Sequence, residues 1–257
     1  MVDDVLVATR WWTRPDAVAL NRLPMTTFLR EPDDVLSLDG SWAFTLLERP
    51  GGTVRTTAVV EVPGCWTMQG VGDLPQYTNI QMPFPGPPPH VPLVNPTGVY
   101  RRRVEVPAAW AGRRIVLHVG GAETVLQVEA DGRFVGLGTD SRLPQEFDLT
   151  ELARPGDEIE LTLTVVRWGA ATYLEDQDHW HHAGLHRSVF LYSTPAVHLL
   201  DVHAVADWDP ATGAGLLTVR AVTGEARADG AVVRDFVPVL VEHEAAEELR
   251  GIESDDA

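Results

Sequence analysis

The chain has 257 residues, 44% of them hydrophobic, enough for one or two domains with sizeable cores. Its formal charge is −17, from 37 acidic residues against 20 basic ones that are all arginine. An acidic surface repels a phosphate backbone, which argues against nucleic acid as a partner.

A single cysteine, Cys65, excludes an intrachain disulfide. Set among Pro63, Gly64 and Trp66, it reads as a small buried apolar residue and not as a nucleophile. The opening MVDDVLVATRWWTRPD is acidic at its start and lacks a long apolar run, so no signal peptide is expected. No stretch reaches the roughly 18 uninterrupted apolar residues of a membrane span. The expectation is a cytoplasmic protein with no membrane partner.

Residues 1–36 mix Pro, Asp, Arg and apolar residues without a period, and Trp11, Trp12, Leu23 and Met25 are expected to tack this arm onto the domain behind it. Leu36–Leu46 alternates polar and apolar around Asp39-Gly40, a strand signature with a turn inside it. A short strand, Val59–Val62, runs into Pro63-Gly64. Residues 67–98 carry eight prolines and read as a long ordered loop, functional by its length, with a polar–aromatic island at Gln76–Ile80.

Strand patterns return at Val99–Val106, Arg114–Val119, Thr124–Glu129 and Arg133–Leu137, the last two split by Asp131-Gly132, the strongest hairpin signal in the chain. Phe147–Ala153 reads as a short helical turn. Glu158–Arg167 is a clear strand with Ile159, Leu161, Leu163 and Val165 on one face, and Ser188–Tyr192 is another. Beyond Thr194-Pro195, the runs His198–Val205, Ala214–Val222 and Ala231–Val241 read as the start of a second β-domain, cut short before an acidic tail. The fold class is all-β.

Chemistry gathers in Thr172–Tyr192, TYLEDQDHWHHAGLHRSVFLY. Glu175, Asp176 and Asp178 precede Trp180, and His179, His181, His182 and His186 surround it. Carboxylates and amides bond sugar hydroxyls while an indole packs on a pyranose face. The same side chains suit a metal, His179 and His181 with Asp178 or His186, although the spacing matches no established zinc pattern. A plain polar loop with one buried Trp is the third reading. Trp42, Trp66, Trp110 and Trp168 lie in or beside strands and read as core. Glu175, Asp176 and Asp178 are candidate glycosidase carboxylates by type only, because all lie in one loop with no opposing partner.

The segments PGCWTMQG, QYTNIQMPF, VPLVNPTGVYRRRVEVP, DGRFVGLGTDSRLPQEFDLT, VVRWGAATYLEDQDHWHHAGLHRSVFLY and VHLLDVHAVADWDP resemble, in this order, the N-terminal part of glycoside hydrolase family 2, nearest to its long bacterial β-galactosidases. The resemblance implies a jelly-roll (galactose-binding-like) sandwich over 37–195, preceded by the arm at 1–36 and followed by an incomplete immunoglobulin-like domain with its acidic tail at 196–257. It further implies hydrolysis of terminal β-D-galactosides. Asn79, of the YTN motif, and Asp178, last of EDQD, are expected to contact the galactose, and Asp178 to help hold a sodium ion. Magnesium and a homo-oligomer are expected of the complete enzyme.

Both catalytic glutamates of the family lie in a TIM barrel, which needs about 250 residues of its own. This chain is therefore expected to be an inactive, substrate-contacting fragment. The alternatives are a stand-alone carbohydrate-binding module or an assembly domain completing a barrel-bearing partner. The family usually carries an aliphatic residue or Met where His179 stands, and fewer histidines after Trp180.

Overall fold

A computed structural model describes residues 5–25, 34–78 and 81–225, and the backbone of Val233–Val241. The chain divides into two units, Met1–Ser193 and Thr194–Ala257. Among the described residues no helix is long and apolar enough to cross a membrane.

The first unit is a β-sandwich, as the alternating apolar patterns require. Seven antiparallel strands form one sheet in the order Ala19–Leu20, Arg133–Thr139, Val125–Ala130, Glu158–Val166, Thr97–Glu105, Gly40–Leu47 and Val54–Val62. Four form the other, in the order Gln145–Asp148, Arg114–Val119, Val189–Thr194 and Asp34–Ser37. Trp42, Phe44, Tyr100 and Leu161 of the first sheet meet Ile115, Leu117, Phe147 and Leu191 of the second in one core. Side chains of this size contribute about 1.5–3 kcal/mol each when fully buried. The four tryptophans expected in the core are all buried.

Three local expectations change on contact with tertiary structure. Asp39-Gly40 is a corner between sheets and not a turn within one, since Asp34–Ser37 pairs with Val189–Thr194 while Gly40–Leu47 pairs with Val54–Val62 and Thr97–Glu105. The corner is held by Val189, whose amide donates to Asp39 Oδ1 and whose carbonyl accepts from Leu38. Phe147 belongs to the strand Gln145–Asp148, and only Leu149–Ala153 makes a single helical turn, with Asp148 accepting from Thr150 at its start. The stretch 1–36 is more than an arm. It supplies the edge pair Ala19–Leu20 and most of the strand Asp34–Ser37, and its buried Leu6 and Trp11 cover the outer face of the large sheet at Val125, Leu137 and Val166. That cover explains why Glu158–Val166 is buried on both faces along much of its length.

The Asp131-Gly132 hairpin forms as expected. Both residues have left-handed φ, 48° and 69°, the combination a two-residue type I′ turn demands. From Thr67 to Pro96 the described chain is coil apart from the end of a short 3-10 turn, Trp66–Met68, and the strand Gln76–Thr78. This loop is pinned at its end by Asn95, whose buried amide donates to the Trp168 carbonyl at 2.8 Å and accepts from the Trp168 amide at 2.9 Å.

The second unit is one antiparallel meander, Val197–Asp209, Ala214–Glu225 and Val233–Val241, close to the three expected runs. The acidic tail lies outside the described residues.

Candidate functional site

The segment Thr172–Tyr192 supplies one strand to each of two small ribbons separate from the two large sheets. A short helix, Thr172–Glu175, leads to the strand His179–His181, which pairs with Gln76–Thr78 of the Pro-rich loop. Gly184–Leu185 then lies between Gly64–Cys65 and Ala122–Glu123. Glycine is required at 184: its φ is 137°, and a Cβ would sit 2.8 Å from the Gly64 carbonyl oxygen and 2.9 Å from Cys65 Cα.

Asp178 stands exposed at the start of the paired strand. Its Oδ1 accepts from the Tyr77 hydroxyl at 2.6 Å. Tyr77 and Trp180 are directly opposite in the ladder, with ring centroids 5.5 Å apart. Half of each ring system is open to solvent, so the plain reading of Trp180 as a buried loop residue is wrong. The result is a carboxylate flanked by an aromatic shelf. Asn79 lies outside the described residues, but Thr78, immediately before it, is opposite His179, immediately after Asp178.

The remaining acids and histidines are largely occupied in building this edge. Both oxygens of Glu175 accept from Ser141, one from its amide at 2.9 Å and one from its hydroxyl. His186 Nε2 donates to the Ser141 carbonyl at 2.6 Å, over Gly121, where a Cβ would meet the imidazole at 2.5 Å. His182 Nδ1 meets Thr67 Oγ1 at 3.2 Å. His179 Nε2 is 3.3 Å from Arg142 Nη2 and 3.2 Å from the Glu175 carbonyl. His181 is buried beside Trp168, with Nε2 3.4 Å from Asp176 Oδ1. Burial holds the imidazoles of His181, His182 and His186 below the usual histidine range, favouring their neutral forms.

His179 and His181 do share an environment, with ring centroids 5.2 Å apart. Among the described residues, however, no three His, Cys, Asp or Glu side chains are arranged to hold a metal ion. For a sodium ion, the described chain offers Asp178 as one oxygen ligand at an exposed edge. That fits a site completed by oxygens from elsewhere.

Pattern reading missed three residues. Tyr77 is embedded in the polar island at Gln76–Ile80, where its type alone does not mark it. Arg142 reaches Glu123 at 3.6 Å and His179 at 3.3 Å. Glu123 is buried, and desolvation raises its carboxyl to about 6 against the attraction of Arg142. Nothing in the local sequence of Glu123, on the two-residue ribbon strand Ala122–Glu123, marks it out. Cys65, on the far strand of the same ribbon, is partly buried and its thiol is pushed up to about 11 by desolvation, so it stays protonated near neutrality.

Residues 35–195 match the family model described as glycosyl hydrolases family 2, sugar binding domain. Curated relatives include β-galactosidases of Aeromonas hydrophila, 36% identical over 83% of this chain and 24% of the relative, and of Arthrobacter sp. strain B7, 38% identical over 77% of this chain and 22% of the relative. The chain thus spans about a quarter of the length of the curated relatives it matches. Among solved structures, a β-glucuronidase from an uncultured Clostridium sp. superposes with a TM-score of 0.57 at 22% identity, covering 84% of this chain and 41% of that one. A Ruminococcus gnavus β-glucuronidase in complex with D-glucuronic acid gives 0.58 at 16% identity, covering 88% and 42%. At these identities the structural likeness speaks for the fold.

Proposed function

The chain belongs to glycosyl hydrolase family 2, and from that membership we propose that its first unit is the substrate-contacting part of a β-galactosidase-type hydrolase. One observation carries the reading: the exposed Asp178 carboxylate sits beside the Tyr77–Trp180 shelf on the exposed edge of a small ribbon. A carboxylate accepts from two adjacent sugar hydroxyls, and the apolar face of a pyranose packs on an aromatic ring. Asn79, the residue after Thr78 in sequence, belongs to the same proposal through an amide that can both donate and accept. Charge-assisted bonds of this kind contribute about 1.5–3 kcal/mol each.

In this reading the chain binds and orients sugar and does not itself cleave the glycosidic bond. Retaining hydrolysis needs two free carboxyl groups about 5 Å apart. Here both oxygens of Glu175 are taken up by Ser141. Asp178 would hold a sodium ion through one carboxylate oxygen, and such an ion would supply a positive centre near the sugar. The magnesium expected of a complete enzyme has no assigned residue in this chain. A cytoplasmic location and a homo-oligomeric complete enzyme remain part of the same proposal.

A second reading, a stand-alone carbohydrate-binding module, is favoured by the same exposed aromatic pair, which needs no further domain to meet a sugar. Saturation-transfer NMR with methyl β-galactoside on the whole chain tests both. Binding near the millimolar range, lost in Asp178→Asn and in Trp180→Ala, is expected, with no hydrolysis of a chromogenic β-galactoside. Binding that survives both substitutions would move the site elsewhere. Turnover lost in Glu175→Gln or Asp176→Asn would place catalysis in this chain. Hydrolysis that appears only on mixing with a barrel-bearing chain would favour the assembly role.

A further inference from the structure

The loop Asp140–Arg142 grips the Asp178 segment at several points. Ser141 is fully buried and gives both its amide and its hydroxyl to Glu175. Its carbonyl accepts from His186, and the Arg142 carbonyl accepts from Arg187 Nη1 at 2.6 Å. The Arg142 guanidinium reaches forward to His179, the residue after Asp178. Asp140, which opens the loop, has a φ of 141°, a conformation that L side chains rarely adopt, and its Oδ1 accepts from the amides of Arg142 and Leu143. A strained residue held by the bonds it creates marks a loop whose shape is enforced.

Behind Arg142 lies Glu123, whose carboxylate is 3.6 Å from Nη1. It is on the small ribbon that also carries Gly184–Leu185, so it is fixed relative to the far end of the same segment. Arg142 therefore bridges a buried carboxylate to the strand that bears Trp180. We propose that Glu123, acting through Arg142, is a positioning residue for the Asp178–Trp180 edge, and that the edge loosens when Glu123 takes up a proton.

The groups facing Glu123 are Arg142 from its loop, Glu175 from the short helix, His179 from the paired strand, Arg167 just after Glu158–Val166, and Cys65 from the far strand of the ribbon, beyond Gly184–Leu185. The cations favour the carboxylate; burial and Glu175 oppose it, and the balance leaves its carboxyl at about 6. Above that pH Glu123 is charged and holds Arg142. Below it the attraction across 3.6 Å is lost and Arg142, whose side chain is half open to solvent, is released. On the sugar-contacting reading above, galactoside affinity then falls several-fold on going from pH 7.5 to pH 5.

The test follows the indole N–H resonance of Trp180 in the whole 257-residue chain from pH 5 to 8, assigned by its absence in Trp180→Phe. The wild-type signal is expected to shift with a midpoint near 6. In Glu123→Gln that step should vanish, leaving the signal at its low-pH position throughout, and Glu123→Asp should restore a step. Should Glu123→Gln fail to fold, Arg142→Gln, at a half-exposed site, carries the same expectation. A step of unchanged midpoint and size in both variants would assign the titration to a group other than Glu123 and overturn the proposal, as would a wild-type signal that does not move. Because the readout needs no sugar, absence of galactoside binding with the expected indole behaviour would refute the functional reading and leave the positioning role standing.

Discussion

The Tyr77 hydroxyl donates to Asp178 at 2.6 Å across 101 residues of sequence, tying the Pro-rich loop to the acidic segment. The bond is also visible chemically, because a phenol that donates to a carboxylate resists ionisation and Tyr77 is held above the usual tyrosine range chiefly by this contact. In Asp178→Asn, Tyr77 should ionise at lower pH than in the wild type, with the melting temperature nearly unchanged at this exposed site. A spectrophotometric phenol titration, with Tyr77→Phe identifying the component, checks this. An unaltered Tyr77 titration in Asp178→Asn would show that the two side chains do not meet in solution.

A second prediction concerns the buried pair beneath the site. Arg167 Nη1 donates to Asp73 Oδ1 at 2.7 Å, and the other carboxylate oxygen accepts from the Trp66 indole at 2.9 Å. The guanidinium also stacks on Trp168, 4.7 Å from the ring centroid, and donates to the His181 carbonyl. Asp73→Ala leaves a buried cation uncompensated and should cost about 3–5 kcal/mol. Asp73→Leu combined with Arg167→Met removes both charges and should cost less than Asp73→Ala alone. Urea denaturation of the three chains decides it, and a double variant at least as damaged as the single would contradict the argument.

Much of the sandwich could be read from the sequence because its strands have a buried face and a period of two. Glu158–Val166 and the Asp131-Gly132 hairpin are local signals of this kind. The corner at Asp39 was not legible, because which sheet a strand joins depends on Val189, 150 residues away. The site divides along the same line. Asp178 and Trp180 stand out by type in their segment, and the resemblance singled out Asp178. Glu123 and Ser141 matter through contacts made by other elements, so their own neighbours in sequence say nothing.

The third prediction is the pH dependence of stability at Glu123. Its carboxyl is raised from 4.5 to about 6, so the folded state holds the proton more tightly than the unfolded state. Stability through this group therefore falls as pH rises from 4.5 through 6, by about 2 kcal/mol for a shift of this size. His181, His182 and His186 act in the opposite sense, since their lowered values give stability present above 6.5 and lost as pH falls below it. The wild-type profile mixes the two effects, and comparison with Glu123→Gln separates them. The variant should be more stable by about 2 kcal/mol at pH 7.5, with the gain shrinking towards zero near pH 4.5. A difference independent of pH, measured by denaturation at pH 4.5, 6 and 7.5, would rule this out.

The last prediction concerns the three-stranded second unit. In its ladder Ala204 pairs with Val219, Ala206 with Leu217, and Trp208 with Gly215, so one face of the meander reads apolar along its length. Val197, Leu199 and Trp208 are each more than 60% exposed. The described residues of this unit supply no second layer over that face, and a sheet of so few strands depends on packing its apolar face for independent stability. The first unit, by contrast, buries Trp42, Trp66, Tyr100 and Phe147 completely. Local opening should therefore cost less beyond Ser193 than before it. Limited proteolysis of the whole chain at neutral pH should remove the second unit first and leave a resistant product ending near Pro195. Leu199→Ser and Leu217→Ser should leave the resistance of that product unchanged, because neither side chain belongs to the sandwich core. Equal resistance of the two units would mean that the apolar face is covered in solution.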